Sequence, residues 1–180
     1  MNHSFFSNDE LQEFGFRKVG FDVLISRFAR FYTPHLIEIG DNVRIDDFCI
    51  LSGSITLGSN IHISAYSGLY GKYGIEMKDY SGLSPRCTIL SASDDFSGNF
   101  MIGPMIRKNF TNVTGGKVLL EKYVQIGASS VIFPNLTIGE GVAVGAFSLI
   151  NKSLDSWGIY AGIPSKFIKV RSKNLLTFNL

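Results

Sequence analysis

The chain has 180 residues, 45% of them hydrophobic and 18% charged, with a net charge of +2 at neutral pH. That length supports one domain with a sizeable core. The near-neutral balance argues against a general nucleic-acid surface, and the apolar residues are spread too evenly to form a bilayer-crossing run of roughly 20.

The N-terminus, Met1-Asn2-His3-Ser4-Phe5-Phe6, has neither the basic start nor the apolar stretch of a signal peptide, which predicts a cytoplasmic protein. Ser7-Asn8-Asp9-Glu10 has the Ser-x-x-Glu form of a capping box. It predicts a short helix over about residues 8–14 that covers an exposed β edge with Leu11 and Phe14.

A six-residue beat follows. Val19, Ile25 and Phe31 open it; Ile39, Ile45, Leu51, Leu57, Ile63 and Leu69 continue it. Met77, Leu83 and Ile89 come next, then Leu120, Ile126, Ile132, Ile138, Val144 and Ile150. All eighteen positions are large and apolar. A period of six is neither helix nor plain strand; it marks a short-turn solenoid. Four residues after each anchor the position is usually apolar or small, as at Val23, Ala29, Val43, Cys49, Ser67, Cys87 and Ser130. Glycine often follows the anchor directly (Gly20, Gly40, Gly58, Gly127, Gly139, Gly145), and is expected to relieve backbone strain at the corner. Three such strands make one triangular coil, and the anchors group into six coils.

The interruptions fall at one corner only. Two extra residues separate Phe31 from Ile39 and Leu69 from Met77, and the long break lies between Ile89 and Leu120. Segment 91–118 is too long for a turn, and loops of this length in compact domains are usually functional. Cys49 and Cys87 sit at small interior positions and read as core residues in a reducing compartment rather than nucleophiles. After the last coil comes Ala161-Gly162-Ile163-Pro164-Ser165-Lys166.

The repeat, as in Ile39-Gly40-Asp41-Asn42-Val43-Arg44 and Ile126-Gly127-Ala128-Ser129-Ser130-Val131, resembles that of the hexapeptide-repeat acyltransferases. The ending is similar to that family's Ala-Gly-x-Pro-Ala-Lys, with Ser165 in place of the second alanine. The resemblance covers residues 19 to about 155. It implies an all-β, left-handed parallel β-helix of about six triangular coils with a short N-terminal capping helix, a long loop after the fourth coil and a C-terminal extension. The expected single acyltransferase domain divides into a cap (1–18), coils (19–90 and 119–155), a protruding loop (91–118) and the extension (156–180).

The resemblance also implies acetyl-CoA as co-substrate, no metal, and a homotrimer with active sites between chains. Ala128 and Ala146 fall at the same place in successive coils, each preceded by a glycine, Gly127 and Gly145. Stacked small residues leave a groove for a thin pantetheine arm, running toward Asn151, Lys152, Lys166, Lys169 and Arg171 as phosphate partners. Coil geometry alone would also demand small residues there.

The acceptor site departs from the family. Its relatives carry a catalytic histidine after the fourth-coil strand, and here Asp94 stands at that place; the histidines are His3, His35 and His62, none of them in the loop. Three readings follow. Asp94 or Asp95 is the base, if burial raises its pKa; His62 arrives from a neighbouring chain; or the acceptor is an amine that needs little more than a carboxylate to hold it. Ordinary turn chemistry at Asp94-Asp95 is the plain alternative. Ser64, Tyr66, Arg107 and Lys108 are candidate substrate contacts, the cations for a phosphate and the aromatic ring for a sugar or base; Tyr66, Tyr70 and Tyr73 suit contacts between chains equally well.

The expectation is an acetyl-CoA-dependent N-acetyltransferase acting on a nucleotide-linked amino sugar in surface-polysaccharide or O-antigen lipopolysaccharide synthesis. The family resemblance extends to small enzymes that acetylate dTDP-4-amino-4,6-dideoxyglucose. A sugar O-acetyltransferase and a non-enzymatic β-helix scaffold are the alternatives.

Overall fold

A computed structural model describes residues 4–178, so His3 and the outermost ends of the expected cap and extension lie outside the described residues. The six-residue beat builds a parallel β-helix of six full coils and a partial seventh. Within each coil a first face, a second face and a third face follow one another. First-face strands stack in exact register, Val19 on Ile39, Ile39 on Leu57, Leu57 on Met77, Met77 on Leu120 and Leu120 on Ile138. Second-face and third-face anchors do likewise: Ile25, Ile45, Ile63, Leu83, Ile126 and Val144 form one column. Because hydrogen bonds hold the register on both sides of every inner coil, the anchors project inward together. The interior isoleucines and leucines are essentially fully buried, each contributing roughly 1.5–3 kcal/mol of apolar burial.

The corners follow a rule that the sequence reading placed elsewhere. The left-handed backbone conformation occurs three residues after the anchor. At the first corner it falls on Asp22, Asn42, Asn60, Tyr80, Tyr123, Gly141 and Trp157. Bulky residues rarely adopt it, but each coil over-determines the next. Asn60, Tyr80, Tyr123, Gly141 and Trp157 all donate their N–H to a carbonyl of the preceding coil at 2.7–3.2 Å. The glycines directly after the anchors have ordinary φ. Their role is close approach: a Cβ on Gly40 would lie 2.5 Å from the Gly58 carbonyl oxygen, and one on Gly127 2.5 Å from the Ala146 nitrogen. They let coils stack rather than relieve strain.

The third corner carries the insertions. A 3-10 turn, Pro34–Leu36, takes up the first, and the continuous strand Gly68–Met77 absorbs the second. Residues between Leu90 and Val118 leave the prism and return as an antiparallel pair, Ala92–Ser93 with Thr114–Gly115.

The N-terminal helix spans Asn8–Glu13, with the capping box formed both ways: Glu10 N–H donates to Ser7 Oγ and Ser7 N–H to Glu10 Oε2. Leu11 is buried; Phe14 and Phe16 stack on each other and both meet Phe31 edge-on, while Phe6 packs edge-on against Phe14, closing the first coil.

The other end holds one more partial coil than the beat indicated. Leu154 bridges to Ile138, and Gly158–Ala161 pairs in parallel with the sixth coil. The interval from Ile138 to Leu154 is two residues shorter than the eighteen-residue period, which hides this coil from a six-residue count. Lys166–Val170 then turns back antiparallel on Gly158–Ala161 and ends the sheet. No described helix is long and apolar enough to cross a membrane.

Candidate active site

The excursion between the fourth and fifth coils is tied to the prism by side chains from the third corner. Ser91, fully buried, accepts from the Tyr73 N–H at 2.9 Å and donates to the Tyr70 carbonyl at 2.9 Å. The Tyr73 phenol donates to the Val113 carbonyl at 3.1 Å. Under the excursion lies a cavity of about 580 Å3, walled by Tyr70, Lys72, Asp94, Ile106, Lys108 and Val113 among others. That volume falls within the roughly 300–1,000 Å3 of small-molecule sites. Its surface is mainly apolar, with one carboxylate and two ammonium groups facing it.

Asp94 therefore opens onto a cavity, whereas Asp95 does not line it. Both Asp95 carboxylate oxygens are used inside the loop: Oδ1 accepts from the Ser97 N–H at 2.7 Å and Oδ2 from Asn112 Nδ2 at 3.0 Å. These bonds hold its pKa below the usual aspartate value. A carboxylate stabilised in its charged form is a poor proton acceptor, so Asp95 reads as a clamp on the loop rather than the expected base.

His62 lies on the outer second face of the third coil, not beside Asp94. Its Nε2 is 2.7 Å from Asp46 Oδ2, and Arg44 Nε donates to Asp46 Oδ1 at 2.7 Å. Burial pushes the Asp46 carboxyl up, but the hydrogen bonds from Arg44 and His62 together outweigh it and hold its pKa below the ordinary value. Ser64 is buried, its N–H bonded to the Leu83 carbonyl in the coil ladder. Tyr66 occupies the second corner, stacked on Phe48 at 5.0 Å, with the Arg86 guanidinium 5.5 Å from its ring centroid. Of the expected acceptor residues, one chain thus brings together Asp94 and Lys108. Arg107 precedes the short 3-10 turn Lys108–Phe110 and does not line the cavity. The sequence reading missed Lys72. Its signal was there: Gly71-Lys72-Tyr73-Gly74 contains the two-residue surplus that swells the third corner.

The expected CoA groove divides. Ala128 and Ala146 stack at the second corner, the Phe147 N–H reaching the Ala128 carbonyl at 2.8 Å. Gly127 and Gly145 donate to Val144 and Tyr160 carbonyls, each at 2.8 Å. Beside them opens a small apolar cavity of about 260 Å3, bordered by Phe147, Leu149 and Ile163. Lys166 pairs with Ala161 next to this corner, and Lys169 pairs with Ile159 farther along the second face. Asn151 and Lys152 lie instead after the third-face anchor Ile150, one face away from the alanines. Lys152 joins Trp157 and Lys173 around a cup at the open end of the helix. Arg171 is removed from the phosphate set: Nη1 donates to the carbonyls of Tyr123, Gly141 and Val142 at 2.8, 3.0 and 3.4 Å. Cys49 and Cys87 are buried thiols whose pKa values are raised by desolvation, Cys49 to about 11, and are not nucleophiles. Among the described residues no group of three histidine, cysteine or acidic side chains could hold a metal.

A hexapeptide β-helix with an excursion at one corner, a carboxylate in the cavity beneath it and a small apolar cavity at another corner is the architecture of the hexapeptide-repeat acyltransferases. No protein-family model matches the chain. It is 41% identical over 170 residues to the dTDP-4-amino-4,6-dideoxy-D-glucose acyltransferase of Escherichia coli, covering 93% of this chain and 88% of that protein. Its fold matches AntD, an N-acyltransferase from Bacillus cereus solved with dTDP and 3-hydroxybutyryl-CoA, at a TM-score of 0.95 and 55% identity, over 98% of this chain and 94% of that one. A serine variant of AntD, solved with dTDP-4-amino-4,6-dideoxyglucose and coenzyme A, matches at a TM-score of 0.95 and 53% identity, over 98% and 95% of the two chains. The chain belongs to the family of dTDP-4-amino-4,6-dideoxyglucose acyltransferases.

Proposed function

We propose that this protein transfers the acetyl group of acetyl-CoA to the amine of a nucleotide-linked amino sugar, dTDP-4-amino-4,6-dideoxyglucose, in the cytoplasm and on the way to a surface polysaccharide such as an O-antigen. The observation that carries this reading is the 41% identity, sustained over 93% of the chain, to an enzyme named for that sugar. The AntD complexes add that a protein of this fold holds dTDP and an acyl-CoA together.

In this reading Asp94 is the group that meets the acceptor amine. It binds the acceptor as an ammonium and takes one of its protons, which frees the nitrogen lone pair to attack the thioester carbonyl. Backbone N–H groups near the reacting end of the pantetheine hold the oxyanion. Collapse of the tetrahedral intermediate expels the CoA thiolate, which takes the remaining excess proton of the nitrogen to leave the neutral amide and the free thiol, and Asp94 returns its proton to solvent. Gly127, Ala128, Gly145 and Ala146 hold the pantetheine, with Lys166 and Lys169 toward the phosphates; Asn151 and Lys152 are assigned only outlying contacts. Ala128 and Asp94 belong to different corners of one prism, which supports a homotrimer in which a neighbouring copy supplies the second wall. His62, anchored by Asp46, is the candidate that a neighbour could add. Ser64 and Tyr66 share its coil and would join the acceptor site with it, while Arg107 remains a peripheral cation.

The test is to incubate purified protein with acetyl-CoA and the amino sugar nucleotide and to locate the new acetyl group by NMR, with the mass in solution from light scattering. An acetamido product made by a species of three chains supports the reading. An ester product would establish O-acetylation, and a stable monomer with full activity would remove the shared site.

A further inference from the structure

We propose that the cavity under the excursion is charge-polarised for a zwitterionic sugar diphosphate, with Lys72 and Lys108 binding the diphosphate and Asp94 facing the amino group. The inference rests on the reading above and assigns two specificity residues to it. Lys72 and Lys108 approach one cavity from separate parts of the chain, the swollen third corner and the 3-10 turn of the excursion. Neither has a carboxylate within ion-pair distance among the described residues. Lys78, Lys117 and Lys122, by contrast, each meet an acidic partner at 2.5–3.1 Å. Lys72 rests near the Tyr73 ring, its ammonium 5.6 Å from the centroid, which steers the side chain without neutralising it. Asp94 lines the same cavity without pairing to either lysine.

Two ammonium groups against one carboxylate leave the walls net positive while the rest of the lining is largely apolar. A pyranose carrying a diphosphate at one carbon and an amine across the ring presents the complementary pattern, an anionic end and a cationic end separated by an apolar body. Charge-assisted bonds in such a site are stronger than neutral ones. The arrangement has a consequence for turnover. Acylation converts the ammonium into a neutral amide, so the product keeps its hold on the lysines and loses the one on Asp94. A neutral sugar nucleotide is discriminated against on the same ground.

The experiment measures affinities for dTDP and for thymidine by calorimetry in the full-length protein, with Lys72→Met and Lys108→Met. The wild type should bind dTDP much more tightly than thymidine. Each substitution should weaken dTDP about tenfold, the loss of one charge-assisted contact, and leave thymidine unchanged. KM for the amino sugar nucleotide should rise in parallel while KM for acetyl-CoA stays within about twofold, and Lys72→Arg should restore most of the affinity. Equal weakening of dTDP and thymidine in variants whose thermal melt matches the wild type, or an unchanged dTDP affinity in both variants, would overturn the assignment while leaving the acyltransferase reading intact. A wild type that neither binds dTDP nor turns over an amino sugar nucleotide would overturn both.

Discussion

Tyr73 and Val113 join the prism to the returning limb of the excursion: the Tyr73 phenol, at the corner between the third and fourth coils, donates to the Val113 carbonyl at 3.1 Å. The same residue's N–H is held by Ser91. The roof of the Asp94 cavity is therefore fastened to a side chain of the solenoid and not only to its own ends. Tyr73→Phe should raise KM for the sugar nucleotide severalfold while lowering the unfolding midpoint little. One hydrogen bond at an exposed site is worth about 1 kcal/mol or less. Steady-state kinetics beside a thermal melt separate the two effects.

Asp94 and Asp95 are adjacent in sequence and differ in role. Asp94→Ala should cut kcat/KM on the amino sugar by about 10²–10⁴-fold, the usual range for loss of a general base. Part of that loss should be recovered at high pH, where more of the amine is already neutral. Asp95→Asn leaves the cavity wall intact and removes a loop clamp, so its effect should fall mainly on KM for the sugar. A comparison of pH–rate profiles for the two variants checks the distinction.

Ala146 offers a test of the pantetheine slot. Ala146→Leu fills the groove beside Phe147 and should raise KM for acetyl-CoA at least about tenfold, the scale of a lost snug contact, with KM for the sugar unchanged. Arg171→Met should do the reverse: lower stability by about 2–3 kcal/mol through loss of a charged donor to three carbonyls, with little change in KM for acetyl-CoA. Chemical denaturation and kinetics on both variants give the answer.

The N-terminal cap should respond to pH. Glu10 accepts from the Ser7 N–H and from both terminal nitrogens of Arg27 at 2.7–2.8 Å, which lowers its pKa from 4.5 to about 2. A depressed carboxylate pKa contributes stability that is fully present above the unfolded value and is lost as pH falls through the folded one. The cap should loosen between about pH 4.5 and pH 2, and Glu10→Gln should flatten that limb. Amide hydrogen exchange in the Asn8–Glu13 helix reports it.

The solenoid was legible because its signal repeats. Every anchor faces the same dry interior, so Ile45, Ile63 and Ile126 are interchangeable readings of one constraint. The capping helix was legible from a local pattern, Ser7 to Glu10, whose partners are three residues apart. What was not legible depended on contacts with no period. The seventh coil is shortened, so Leu154 and Tyr160 fall off the beat. The corner glycines were misread because close approach to the coil above leaves the same residue in the sequence as a strained turn would. Lys72 joined Lys108 only when the excursion folded over the corner, and Arg171, one more cation in a basic tail by sequence, proved to be a carbonyl cap. Asp94 was singled out by its place after the fourth-coil strand, and it lines the cavity; that Asp95 is spoken for by Asn112 could not be read from two neighbouring letters.

The central claim is amine acylation on a nucleotide sugar, and thioester cleavage reads it directly. Free thiol released from acetyl-CoA is followed with wild-type protein across dTDP-4-amino-4,6-dideoxyglucose, its 4-hydroxy counterpart and the free amino sugar. The account predicts rapid release with the amino sugar nucleotide and little with the other two. Equal or greater release with the hydroxyl compound, or none with any of the three, would contradict it.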